Sequence, residues 1–306
     1  MAGSPRARLT PGRAASPAAA PRRRFRAAPG WSRALRHRRV ALGLAVVVGL
    51  YVVALAAPAL APHDPNAQAL LERLRPPSAA HPFGTDSLGR DLLSRAIWGA
   101  RVSLAVSLVA TLLTLAVGAA VGLVAGFAGG WVDNAMMRVT DIFIAFPDFL
   151  LLITVIAIYG SSMALLIAFL GLAAWPYTAR LVRAEVLSLR GREFVLAARV
   201  CGASDRRIML THLFPNVVPV LVVAGTLRVG GVILIEAGLS FFGLGVRPPT
   251  PTWGNMVADG RLYLDSAWWI TTFPGALIVL TVLAYNLLGD GLRDALDPRR
   301  GRPDEW

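Results

Sequence analysis

The chain has 306 residues, 55% of them hydrophobic and 16% charged, with a mean hydropathy of +0.57 and a formal net charge of +13. A soluble domain carries about 25% charged residues, so this balance excludes an ordinary soluble fold and points to a chain that crosses a membrane several times. All 31 basic residues are Arg, and a P-loop needs a Lys to reach the β- and γ-phosphates, so the chain is not itself a P-loop ATPase.

Residues 1–39 hold eleven Arg, many Ala and Pro, and no acid. Such a stretch cannot bury a core and is expected to be disordered beside an anionic membrane face, with nucleic-acid binding a weaker alternative. Residues 40–61 contain the first apolar run, long enough for the roughly 20 residues a membrane span needs. The run exceeds the about 7–15 residues of a signal-peptide core, so it reads as an uncleaved anchor. Residues 62–101 are polar and Pro-rich before they turn into SLGRDLLSRAIWGAR. There Leu88, Leu92, Leu93, Ile97 and Trp98 form an apolar stripe opposite Arg90 and Arg95, which suggests an interfacial helix leading into the next span.

The second span is expected over 102–126. Gly118, Gly122 and Gly126 fall on one face there, a pattern that lets two helix backbones approach in lipid. A third span over 142–159 is interrupted early by Pro147, and Asp141, Pro147 and Asp148 suit a helix start. The fourth runs over 163–177, the fifth over 217–238 and the sixth over 269–288. Residues 248–266 read as an external loop, with Trp253, Trp268 and Trp269 placed as interfacial rings.

Between the fourth and fifth spans lies EFVLAARVCGASDRRIMLTHLFPN, residues 193–216, too rich in charge to be embedded. Its pattern predicts two short helices around a break. Phe194, Ala197, Ala198 and Cys201 share a face of the first helix, and Gly202 ends it. Ser204 caps the second, which carries Ile208, Met209, His212 and Leu213 on one side and closes at Pro215. A small Ala-Ala face with a basic rim suits docking into another protein; a solvated interhelical loop fits the same spacing.

This stretch resembles the cytoplasmic loop of ABC-importer permeases, which reads Glu-Ala-Ala, three residues, Gly, nine residues, Ile-x-Leu-Pro. Ala197, Ala198, Gly202 and Pro215 fall on that spacing, while Leu196, His212 and Phe214 replace the Glu, Ile and Leu. Those departures, with Glu193 one turn earlier, resemble the branch that imports dipeptides, oligopeptides or nickel. The segment HPFGTDSLGRDLLSR, the residues Phe241 to Val246 after Glu236, and the tail GDGLRDALDPRRGRPDEW are similar to that branch as well. The resemblance implies an all-α membrane protein of about six transmembrane helices with the type I ABC importer permease fold. In it, Glu193, Ala197, Ala198, Gly202, Ala203, Asp205, His212 and Pro215 belong to a coupling loop that docks on an ATPase. It also implies a homologous second permease, two ATP-binding subunits and an external solute-binding protein as partners. ATP is then used by partner subunits, this chain binds no cofactor, and peptides are the expected cargo, with nickel or another small solute as the alternative. A bulky residue at Ala198 is expected to overfill the docking groove.

Arg counts set the expected topology. Residues 1–39 (eleven), 180–207 (seven) and 293–306 (four) are richer in Arg than the segments between them, so both termini and the docking loop are expected in the cytoplasm of a bacterial inner membrane. The expected organisation is therefore a cytoplasmic stretch 1–39, a first span within 40–61 and an external segment 62–101. A permease core follows over 102–290 with its coupling loop at 183–215, and the tail 291–306 is cytoplasmic. Arg228 and Glu236 in the fifth span are candidates for the translocation path, about 12 Å apart along a helix and so not a direct pair. For Glu236 a structural hydrogen bond at the outer interface is the favoured reading. An ion-coupled carrier would depend on such an intramembrane acid. His37, His63, His81 and His212 are scattered, without an HExxH or a His/Cys cluster, which argues against a metal or proteolytic centre. Cys201 is the sole cysteine, so no intrachain disulfide forms; it reads as a small packing residue.

Overall fold

The structure, a computed structural model, describes residues 37–296. Most of the Arg-rich stretch and the end of the tail therefore lie outside the described residues. The helices are α1 (Arg38–Leu55), α2 (Ala57–Leu60), α3 (Leu92–Ala128), α4 (Gly130–Ala145), α5 (Asp148–Tyr159), α6 (Met163–Ala173), α7 (Trp175–Leu189) and α8 (Glu193–Val200). They continue with α9 (Asp205–Phe241), α10 (Trp253–Gly260) and α11 (Trp269–Leu296). Among the described residues, the β-type pairing is one isolated bridge between Thr85 and Asp91. Five helical stretches are long and apolar enough to cross a membrane: α1, α3, Met163–Leu189, α9 and α11. The helices Gly130–Ala145 and Leu150–Tyr159 meet at 81° and make a sixth if they count as one broken span.

Helix α3 is the central beam. Its 37 residues extend about 55 Å at 1.5 Å each, well beyond the roughly 30 Å of hydrocarbon, so each end reaches a different side of the membrane. The expected interfacial helix and second span are one element here. Asp91 caps it, its carboxylate accepting the Ser94 backbone N–H at 2.8 Å. The glycine face seats α7. A Cβ on Gly118 would fall 2.5 Å from Thr178 Cβ, and one on Gly126 2.9 Å from Val186 Cβ. On Gly122 it would run into the carbonyl oxygen of Ala179. Without those hydrogens-only faces the two backbones cannot lie this close, and the cluster of Leu123, Val182, Val186 and Leu189 beneath them would open.

The segment 62–91 folds as a cap on the N-terminal end of α3, and the structure corrects the amphipathic reading of it. Arg90 and Arg95 are 6% and 3% exposed, so they do not form a polar face. Asp86, equally buried, takes the Arg90 guanidinium at 2.6 Å and the Arg95 Nε at 3.5 Å, and it also accepts the backbone N–H groups of Leu88 and Arg90. Paired charges of this kind tolerate burial that an isolated one does not. The expected external loop contains α10, opened by a capping box between Thr252 and Asn255. Trp253 is fully buried, its indole donating to the Ala96 carbonyl at 2.9 Å, and Trp269 donates to the Thr85 carbonyl at 3.2 Å. Only Trp268 of the three expected interfacial rings is exposed; the other two are mortar between the cap and the bundle. Asp141 is likewise no helix start: it lies inside α4 and pairs with Arg180 at 2.5 Å. Pro147 does immediately precede α5.

Two outcomes follow. Gly122→Leu should overpack α3 against α7 and lower stability by about 1–3 kcal/mol, read as an earlier thermal transition in detergent, while Gly49→Ala on the open face of α1 should leave it unchanged. Asp86→Asn leaves Arg95 beside a neutral amide and Arg90 with Asp259 at 3.7 Å in place of its close partner; it should cost about 3–5 kcal/mol, read as a cap cleaved by protease while the spans stay protected.

Candidate functional site

The other end of α3 carries the stretch the sequence singled out. Helix α8 stops where expected. Gly202 sits at φ +79°, a left-handed conformation that glycine adopts without strain. Around it the Ala203 N–H bonds to the Ala198 carbonyl and the Gly202 N–H to the Arg199 carbonyl, each at 3.0 Å. This is a Schellman closure of the helix end.

The second half departs from the expected pair of short helices. From Asp205 the chain runs as one helix to Phe241, passing through a π-helical stretch at Ile208–Leu213. Pro215 therefore does not close a helix. A proline lacks the N–H for the ordinary i→i−4 bond and crowds the carbonyl one turn back, and a preceding π turn absorbs both defects. The amide of Asn216 helps by donating to the His212 carbonyl at 2.6 Å. Ser204 occupies the N-cap position with no side-chain cap bond.

The faces of α8 also differ from the predicted ones. Val195, 1% exposed, is its anchor, packed with Val182, Val186, Leu189, Ile208 and Leu213 from α7 and α9. Phe194, Ala198 and Ala203 lean on the same cluster, so Ala198 is half-buried against the chain's own core. Ala197 and Cys201 point out, flanked by Leu196 at 50% and Val200 at 88% exposure. The small outward patch is thus Ala197 with Leu196, Val200 and Cys201, in place of an Ala197–Ala198 pair. Its rim is charged, with Arg192, Glu193, Arg199, Asp205, Arg206 and Arg207 all exposed. Ile208 and Leu213 are fully buried and Met209 and His212 half-buried, as their spacing predicted. Because Val195 touches residues of both α7 and α9, a displacement of α8 is carried into two spans at once.

Arg228 and Glu236 lie apart, as their spacing implied. Arg228, half-buried, donates from its guanidinium to the Leu170 carbonyl of α6 at 3.4 Å. Glu236 is 1% exposed and accepts the Ser240 hydroxyl at 2.8 Å, one turn along its own helix. No catalytic constellation accompanies either residue.

Comparison with known proteins decides what kind of chain this is. Residues 118–302 match the family described as binding-protein-dependent transport system inner membrane component. The chain belongs to that family. Residues 24–77 also match the N-terminal transmembrane domain of oligopeptide transport permease C. Among similar proteins is the dipeptide transport system permease DppC of Escherichia coli K12, 46% identical over 275 residues, covering 88% of this chain and 92% of that one. The DppC protein of Alkalihalophilus pseudofirmus is 40% identical over 283 residues, 91% and 93% of the two chains. The glutathione transport permease GsiD of Shigella flexneri is 46% identical over 270 residues, 88% and 89%. A solved structure of inward-facing MetNI, a methionine ABC transporter, superposes with a TM-score of 0.53 at 22% identity, over 67% of this chain and 96% of that one. That likeness gives the fold of an ABC importer permease. The protein is therefore a multi-pass inner-membrane transport subunit and not an enzyme, and membership of the family implies partner chains that bind solute and hydrolyse ATP.

Proposed function

We propose that this chain is one of two homologous permeases in an ATP-driven importer of dipeptides or oligopeptides. Its close relatives are named for dipeptide and glutathione transport, and their similarity extends over nearly the whole chain. The observation that carries the mechanism is the seating of α8: an anchored inner face on Val195 and a small outward patch around Ala197 within a charged rim. Two ATP-binding subunits close on nucleotide, and a groove on one of them holds α8. The motion then passes through Val195 to α7 and α9, and hydrolysis resets it. The coupling loop comprises Glu193, Ala197, Ala198, Gly202, Ala203, Asp205, His212 and Pro215, with Ala198 and His212 serving as its internal support. The capped end of α3 faces outward toward a solute-binding protein. Both termini and α8 lie in the cytoplasm, consistent with the Arg distribution. Of the two path candidates, Arg228 is the better placed, since Glu236 is closed off from the surface, with one carboxylate oxygen accepting the Ser240 hydroxyl. That closure also counts against an ion-coupled carrier relayed through Glu236.

Because Ala198 supports α8 from inside, the decisive substitution is Ala197→Trp, which enlarges only the outward patch. It should impair docking by about 1–3 kcal/mol, by analogy with an overfilled core. Uptake of a labelled dipeptide should fall, with the protein still present in the membrane at normal level; undiminished uptake would rule out the docking role. Collapse of the proton gradient with ATP maintained should leave uptake running, whereas an ion-coupled carrier would stop. Cys201 supplies a native probe of orientation, since it is exposed beside the patch. Impermeant maleimide should label it in inside-out vesicles and not in intact spheroplasts, and bound ATPase subunits should protect it.

A further inference from the structure

The outer cap gathers side chains from three separate stretches of sequence. His63 follows α2, His81 lies in the loop before α3, and Asp91 caps α3. His81 Nδ1 lies 2.8 Å from Asp91 Oδ1, and His63 Nδ1 lies 3.7 Å from Asp91 Oδ2. The two imidazole centroids are 4.9 Å apart, and one donor atom from each of the three residues falls within 4.8 Å of the other two. The histidines that look scattered in sequence are therefore neighbours in space. Two donors are fixed inside, with the Asp91 and His81 side chains 1% and 11% exposed. The third, His63 at 44%, stands at the mouth of an open cavity of about 890 Å³.

Two further contacts organise the cluster. Glu72 Oε2 lies 3.3 Å from His81 Nε2, on the side of the ring away from Asp91. A carboxylate behind an imidazole fixes its tautomer and raises its basicity, the usual support of a metal-ligating histidine. Ser94 ties down the other two: its backbone N–H donates to Asp91 Oδ2 at 2.8 Å, and its hydroxyl accepts the His63 backbone N–H at 3.0 Å.

We propose that His63, His81 and Asp91 form a binding site for a divalent transition-metal ion of the zinc, nickel and copper class, with Glu72 orienting His81 from behind. Two imidazoles and one carboxylate suit those ions, whereas magnesium and calcium select oxygen donors. Ligand atoms about 2.0–2.1 Å from a tetrahedral zinc stand about 3.3 Å apart, and the observed 2.8 and 3.7 Å bracket that spacing. Small side-chain rotations therefore convert the cluster into a ligand set, with the cavity side left to water. Bound there, the ion ties the stretch after the first span and the 78–84 loop to the start of α3, and so fastens the cap onto the beam. The site is independent of what the permease carries.

The test uses the full-length chain, purified through a tag without histidine, reconstituted in lipid nanodiscs and cleared of metal with chelator. Titration with zinc chloride by calorimetry should show one site per chain that magnesium does not fill. His63→Ala, which leaves the helix cap and the Glu72–His81–Asp91 chain intact, should weaken binding at least about tenfold, and Glu72→Gln should weaken it about 10–100-fold. His212→Ala and Cys201→Ser should bind as the parent does. Cobalt, used as a spectroscopic probe, should give tetrahedral ligand-field bands that His63→Ala removes. Absence of zinc binding in the parent chain overturns the assignment, and so does binding that His63→Ala leaves unchanged, which would mark an adventitious ion only.

Discussion

The close approach of α3 to α7 is the constraint on which the rest of the molecule depends. In lipid the hydrophobic effect does little to hold two helices together, so van der Waals contact over a smooth face has to supply the association. Gly118, Gly122 and Gly126 provide that face on α3, and Thr178, Ala179 and Val186 of α7 lie directly upon it. Because α3 is a single rigid helix of 37 residues, that contact also fixes the relation between the two membrane sides. The cap with its buried Asp86, Arg90 and Arg95 sits at one end, and α8 sits at the other, held by α7 through Val186 and Leu189.

This arrangement suits a transport subunit better than a catalytic one. Helix α8 is too short to be stable alone and owes its position to the Val195 cluster, which joins it to α7 and α9. The π-helical stretch at Ile208–Leu213 makes the start of α9 continuous with a membrane span, without a break at Pro215.

The polar groups of the cap on α3 follow a different logic. Charges on a membrane protein normally stay in water, yet Asp86, Arg90, Asp91 and Arg95 are nearly inaccessible. Mutual pairing and backbone hydrogen bonds make that burial tolerable, and they commit the segment to one conformation. Trp253 then locks α10 to α3, and Trp269 locks the cap to α11, each through an indole hydrogen bond to a backbone carbonyl.

The sequence by itself determined the membrane class, five of the six expected spans, the glycine face, the break at Gly202 and the family, because each rests on local periodicity, on a single residue's conformational freedom or on a motif of fixed spacing. It did not reveal that Arg90 and Arg95 are buried, since amphipathic spacing looks the same whether the polar stripe meets water or a hidden carboxylate. Nor did it show which of Ala197 and Ala198 faces outward, because a turn of helix places both near one face and only Val195 in its pocket sets the rotation. The capping box between Thr252 and Asn255 that opens α10 inside the expected loop emerged only from the structure, where Trp253 finds the Ala96 carbonyl. The meeting of His63, His81 and Asp91 was decided by tertiary structure alone, since residues far apart in the chain become neighbours only when the cap folds onto the start of α3.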